Sequence, residues 1–269
     1  MVDSTRLYLY GGPELLASLK RGVVPLSTWS AIANPWFSEQ LGIGHETEIT
    51  ADQWQAALER RYAAIPEHLR GAVDFKYFAQ QMEARRPEIE ADIQASGELD
   101  PAGALDLARH QGVAVLRLLE TPLNPLGWQL LGAGHRGVCI GVPKGLAVFQ
   151  SAANRPRLLR HVRYTPHRTL AASDQMPFPG WYEEPEAMAP LNEWRLALPL
   201  RHARDDKAGP ALALPSGSVV EFYTGALASD DTVQAVRDLQ RLYQPYRQAT
   251  RYRIHAAERS FTLQASHDG

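Results

Sequence analysis

Scarcity sets the first limits on this sequence. Cys139 is the only cysteine in 269 residues, which excludes an internal disulfide framework and any zinc site built from several thiolates. No apolar run approaches the roughly 18 residues that a membrane-spanning helix needs, because Gly, Pro or charge breaks each candidate. The opening Met-Val-Asp-Ser-Thr-Arg lacks the basic start, apolar middle and cleavage site of a secretory leader. These absences point to a reducing, cytoplasmic setting and to no membrane partner. Surplus charge is also missing: the formal net charge is −2, so no global positive field asks for nucleic acid. The chain has no internal repeat, no Gly-x-Ser-x-Gly elbow and no phosphate loop. Its nine histidines show no His-Glu-x-x-His or other ligand spacing, so no metal is expected.

What is present is ordinary globular material, with 45% hydrophobic and 22% charged residues, enough to bury a substantial core. The pattern reads as a single α+β domain over 1–269, helix-rich over about 12–110 and strand-rich over about 111–265. Leu7-Tyr8-Leu9-Tyr10 is a short strand closed by Gly11-Gly12. Leu15, Leu16 and Leu19 then give a helix one buried face, and Gly22 ends it before a strand over Val23–Leu26. From Ala51 to about Ala95, Trp54, Leu58, Tyr62, Ile65 and Leu69 recur at helical spacing, with breaks at Pro66 and Pro87. A further helix is expected over Gly103–His110.

Strands are expected over Val113–Leu119, Gly137–Val142, Leu158–Tyr164, Trp194–Leu200, Val219–Thr224 and Tyr252–Ala257. One helix, about Asp230–Leu242, interrupts them. The expected architecture is a split or strongly bent, mostly antiparallel sheet flanked by helices. Ala171–Pro190, rich in proline and acid, reads as a surface loop able to cover a cleft, and Arg201–Gly209 as a second polar connection.

Gly132-Ala133-Gly134-His135-Arg136-Gly137 has the letters of a dinucleotide fingerprint. It follows a helix and opens a strand, the reverse of what that fingerprint needs, so it reads as a turn. Cys139, inside the apolar run Val138–Val142, reads as an inert buried thiol. Arg155, Arg157, Arg160, Arg163 and Arg168 crowd one segment with His161, Tyr164 and His167. Strand alternation puts Arg157 and His161 on one face and Arg160 on the other. The segment suits either a phosphate-bearing ligand or a protected sheet edge. Arg237, Arg241, Arg247, Arg251 and Arg253 interleave with Tyr243, Tyr246 and Tyr252. That is the chemistry of single-strand nucleic-acid binding, or of helix-end and core packing. Asn192-Glu193-Trp194-Arg195 places an acid and a cation on one strand face, as a working pair or a structural ion pair.

Several of these segments, in order, resemble the bacterial domain of unknown function 2971 family. They are Leu7-Tyr8-Leu9-Tyr10 through Gly22, Pro25-Leu26-Ser27, Asn34-Pro35-Trp36, Asn124-Pro125-Leu126-Gly127-Trp128, His135 to Gly141, Val162-Arg163-Tyr164, Glu193-Trp194-Arg195 and Phe222 to Ala226. The opening is also similar to ADP-ribosyltransferase-like proteins. That resemblance implies a nicotinamide dinucleotide (NAD) held in a split sheet and a late-strand glutamate, here Glu193, as the catalytic residue. A carboxylate there would stabilise the oxocarbenium-like centre formed when the nicotinamide bond breaks.

Under that reading Arg195 or Arg163 contacts phosphate; Tyr8, Tyr10, Ser27 or Arg163, by placement alone, stand in for the family's ligand holder, and Trp128, His135 and Tyr164 are further candidate binding side chains. The chain departs from the pattern at Leu9, where related openings carry histidine or lysine, at Ala33-Asn34-Pro35, and at Leu191, where the first acid of a Glu-x-Glu pair would stand. A bacterial defence or toxin-type effector, modifying a protein or nucleic-acid acceptor, is the implied role. The alternative is a non-catalytic nucleic-acid- or protein-binding module of the same family.

Overall fold

The computed structural model describes residues 5–28, 51–66, 74–95, 112–152, 155–167 and 179–268. The helix expected over Gly103–His110 and the Asn34-Pro35-Trp36 segment lie outside them. Its centre is a nine-stranded sheet in the order β14-β13-β12-β5-β1-β4-β9-β6, with β3 added beside β4. The strands are β1 (Arg6–Gly11), β3 (Ser27–Thr28), β4 (Val113–Leu119), β5 (Val138–Pro143), β6 (Leu158–His161), β9 (Glu193–Pro199), β12 (Glu221–Thr224), β13 (Thr250–Ala256) and β14 (Leu263–His267). All their pairings are antiparallel except β12 with β13. That pair is parallel because a helix, Asp230–Leu242, crosses between the two strands. The architecture is α+β with a mixed, mostly antiparallel sheet.

Alternation in Leu7-Tyr8-Leu9-Tyr10 sorts the two faces. Leu7 and Leu9 join Val138, Ile140, Phe222, Leu116 and Leu196 on one face, under α1 (Leu15–Lys20) and the Asp230–Leu242 helix. Leu15, Leu16 and Leu19 of α1 are all buried there. Tyr8 and Tyr10 join Leu119, Cys139, Tyr223 and Ile254 on the other face, closed by Trp128 and Leu191. Three further helices, α2 (Ala51–Ala63), α3 (Phe75–Glu83) and α4 (Arg86–Ala95), bury Ala57, Leu58 and Ile89 against one another. Arg86 caps that cluster, with its guanidinium over the Trp54 ring at 5.0 Å. In chain order the next helices are α5 (Pro125–Leu130), α6 (Pro179–Tyr182) and α7, the Asp230–Leu242 crossover.

The main sheet has one weak seam. β1 and β4 share a single register pair, Tyr8 with Leu119, and β4 is next paired on that side at Val115 and Ala114, by Ser27 and Thr28 of β3. Between these contacts, Leu116, Arg117 and Leu118 have no ladder partner on that edge among the described strands. The ladder is thinnest here, while all nine strands stay in one sheet.

Two segments differ from their sequence reading. The part of Ala171–Pro190 that is described, 179–190, is packed structure and no loop. It folds as α6, then β8 (Glu183–Pro185) parallel to β7 (Arg163–Thr165), then a 3-10 turn over Glu186–Leu191. Trp181, Tyr182, Glu183 and Glu184 are buried. Arg201–Gly209 likewise contains β10 (Arg204–Asp206), in a hairpin with β11 (Gly209–Ala213), and β11 pairs with β2 (Val23–Pro25). Both segments are rich in charge, and their strands exist because distant strands supply the ladder.

Candidate functional site

Arg117 is the one charged residue in the apolar strand β4. Across the ladder it faces Arg195 of β9, and Arg195 faces Arg160 of β6, so three guanidinium-bearing residues share one row. Like charges so placed repel, and acids from β9 itself and from β8 offset them. Glu193, two residues before Arg195 and on its face, accepts from Arg117 Nε at 2.7 Å and Nη2 at 2.8 Å, and from Arg195 Nε at 2.7 Å. Glu184 of β8 pairs with Arg195 Nη2, and the Trp181 carbonyl accepts Arg195 Nη1 at 2.9 Å. Glu183 pairs with Arg163. The Tyr164 hydroxyl accepts the Glu193 backbone N–H at 2.8 Å.

Glu193 has 0% and Arg195 1% exposure. Burial alone would push the Glu193 carboxyl up. The hydrogen bonds and charge of Arg117, with the charge of Arg195, outweigh it and hold the carboxyl below 4.5. Burial likewise works against the Arg195 cation, and Glu193 and Glu184 reverse that, so its pKa is raised. Burial takes the Tyr164 phenol up to about 12. Glu193 is therefore an ionised acid whose oxygens face guanidinium groups. Arg117 is 23% exposed at its side chain, and its Nη1 takes no part in the contact with Glu193. It is a fixed cation at the seam between β1 and β4.

A second polar group lies at the start of β9. Asn192 is in the left-handed region with φ 50°, a conformation asparagine tolerates. Its amide donates to Glu120, and its Oδ1 lies 2.7 Å from His161 Nε2. Trp194 Nε1 donates to Glu120 Oε1 at 2.8 Å, and Lys144 Nζ sits 3.6 Å from the centre of the Trp194 ring.

The tyrosine side of the sheet holds the remaining candidates. Tyr8 stands opposite Gly141, and Gly141 opposite Glu221, whose carboxylate pairs with Arg6. An added Cβ at Gly141 would lie 2.7 Å from Glu221 Oε2, so the glycine admits that acid between the strands. Burial and the neighbouring Glu221 charge raise the Tyr8 and Tyr223 phenols. The Tyr10 hydroxyl donates to the Thr121 carbonyl at 2.6 Å, and its ring meets Trp128 edge-on at 5.0 Å. Trp128 has no exposed surface and donates Nε1 to the Pro122 carbonyl at 2.8 Å. His135 stacks over Trp128 at 6.5 Å from a turn in which Ala133, Gly134 and His135 all have positive φ, the turn expected in place of a dinucleotide fingerprint. Leu191 is fully buried. Ser27 is exposed on β3, where it pairs with Val115 of β4.

The structure thus gathers Glu193, Arg195, Arg163 and Tyr164 into one network. Tyr8, Tyr10, Trp128 and His135 form a neighbouring aromatic group, and Ser27 stands apart. Arg117, Glu183 and Glu184 were missed by sequence reasoning. A lone arginine in an otherwise apolar strand was the available signal for Arg117. The two glutamates were hidden in a segment read as a loop.

Near the C-terminus, Arg237 pairs with Asp268, Arg251 contacts Gln240 and Asp268, and Tyr246 donates to the Leu19 carbonyl at 2.6 Å. Tyr252 stacks on Tyr223 at 4.8 Å. Among the described residues no group of three His, Cys, Asp or Glu lies together to hold a metal ion. No helix among them is long and apolar enough to cross a membrane.

Fold and site together define an α+β protein whose mixed sheet carries a buried Glu and Arg network beside an interrupted ladder. No protein-family model, no curated protein and no solved structure matches the chain.

Proposed function

We propose that this is an ADP-ribosyltransferase-like domain that binds a nicotinamide dinucleotide at the seam between β1 and β4 and does not transfer ADP-ribose. One observation carries the reading: Arg117 stands at the seam, held by a fully buried Glu193 through two nitrogens, with Nη1 left over. A guanidinium fixed in this way is pre-organised for a phosphate oxygen, because little side-chain freedom is lost on binding.

Catalysis by Glu193 has less support. A carboxylate that already faces two guanidinium groups has little charge to offer a developing cation. Glu193 is better read as the positioning residue for Arg117. The alternative module, with a nucleic-acid or protein partner on the C-terminal arginines and tyrosines, has less support too. Arg237, Arg251, Tyr246 and Tyr252 are engaged within the chain.

The experiment is to titrate the protein with the dinucleotide by calorimetry and assay the mixture for free nicotinamide. Binding without release is expected. Release that disappears in a folded Glu193→Gln variant would restore the catalytic role, and no binding at millimolar concentration would overturn the dinucleotide reading.

A further inference from the structure

The two edges of the main sheet are built differently. At one end β6 carries Arg160, and β7, which follows it in the chain, opens on Arg163. Charge of that kind discourages a further strand. At the other end β14, Leu263-Gln264-Ala265-Ser266-His267, has no Asp, Glu, Lys, Arg or Pro. Its last four residues are exposed, and β13 is its one partner among the described strands.

The ladder with β13 fixes which way each peptide group of β14 points. The Ala257 N–H donates to the Thr262 carbonyl at 3.0 Å, and the Asp268 N–H to the Arg251 carbonyl at 3.0 Å. In an antiparallel ladder, hydrogen-bonded pairs alternate with pairs that exchange no bond. Counting by twos along the register from these two bonds puts Gln264, opposite His255, and Ser266, opposite Arg253, in bonded pairs. Leu263, Ala265 and His267 fall in the other pairs, so their N–H and C=O groups point away from β13. Each of these three residues presents one donor and one acceptor along the outer edge.

We propose that β14 pairs with β14 of a second copy of this chain, antiparallel about a twofold axis at Ala265. In that register Ala265 faces its own counterpart and Leu263 faces the partner's His267, all as hydrogen-bonded pairs. Every outward N–H and C=O of one copy then meets its complement on the other, with none left over. The match comes from symmetry, which a strand of another protein does not share. Ala265, the smallest side chain of the strand, is the one that must meet itself on the axis, and no like charges come to stand opposite each other. Phe261, in the turn that leads into β14, is 106% exposed and adds apolar surface at the rim. The contact is isologous, and the edge bearing Arg160 takes no part, so assembly closes at two copies and no fibre grows. β14 lies five strand spacings from β4, about 24 Å, so the pairing does not rest on the dinucleotide reading.

A contact made by one short strand is small, and a weak dimer is expected. The test is sedimentation velocity of the full chain from about 10 µM to about 1 mM, with amide hydrogen exchange measured at both ends of that range. A monomer–dimer equilibrium is expected. Exchange should slow at Leu263, Ala265 and His267 as the dimer fills and stay unchanged at Gln264 and Ser266, which are already bonded to β13. Ala265→Pro removes the two hydrogen bonds on the axis and no bond to β13, and should weaken the dimer about tenfold or more. Ala265→Lys sets like charges face to face and should weaken it about fivefold or more. If Ala265→Pro fails to fold, Ala265→Lys, at an exposed position, carries the test. A monomer over the whole range, a dimer that forms equally well in the folded variants, or species that grow beyond the dimer would overturn the proposal.

Discussion

Glu193 is the residue on which the most local chemistry converges. Replacing it by Gln removes the charge that Arg117 and Arg195 both face and leaves a buried guanidinium poorly compensated. A loss of about 3–5 kcal/mol is expected in urea unfolding. Its pH dependence has a definite sign. The folded pKa lies below 4.5, so the stabilisation is complete well above pH 4.5 and is lost as pH falls through the folded value. The difference in stability between wild type and Glu193→Gln should therefore shrink on acidification below about pH 4.5, and a constant difference would contradict the assignment. Cys139 gives a simpler check. Its thiol is fully buried, and burial, with Glu221 nearby, pushes it well up. A chromogenic thiol reagent should leave it unmodified until denaturant is added. The pairing of Glu193 with Arg195 was legible in the sequence because residues two apart share a strand face. Arg117 was not, because its importance comes from β9, which lies 76 positions away.

At the scale of elements, legibility followed apolar pattern. Val113–Leu119 and Asp230–Leu242 were read with the bounds they have, since one is a continuous buried run and the other an amphipathic helix. The helix opens on Ser229, whose hydroxyl accepts the Thr232 N–H at 3.3 Å. Ser229→Ala should cost about 1 kcal/mol in thermal unfolding. Strands β8, with sequence Glu-Glu-Pro, and β10, Arg-Asp-Asp, carry no apolar alternation. β7 and β11 call them into being, and no local window shows that. Backbone approach was equally hidden. A Cβ at Gly137 would lie 2.0 Å from the Gly11 carbonyl oxygen, so Gly137→Ala should force β1 and β5 apart at that end. It should destabilise far more than the same change at Gly145, where nothing lies within 4 Å.

For the whole molecule, α+β class and a mostly antiparallel sheet were legible, because strands outnumber helices after residue 111 and follow one another closely. The sheet order was not. β1 lies between β5 and β4, and β9 between β4 and β6, which are pairings across long stretches of chain. The charge network around Glu193 follows from that order. Glu193 and His202 leave marks of the same sign on stability against pH, in different windows. His202 has a folded pKa below its ordinary 6.5, so the unfolded chain takes up its proton first. Stability should fall as pH drops from about 6.5 through the folded value. His202→Phe should flatten that limb of the urea midpoint profile, and an unchanged slope would contradict the lowered pKa of His202.

The seam between β1 and β4 is tested most directly by the melting temperature with and without nicotinamide dinucleotide, in wild type and in Arg117→Gln. At about a hundred times the dissociation constant, the ligand should add about 2.7 kcal/mol, a rise of several degrees for wild type. A much smaller rise is expected for Arg117→Gln at the same concentration. No rise in wild type, or an equal rise in both, would contradict a dinucleotide held by Arg117 at the opening of the sheet.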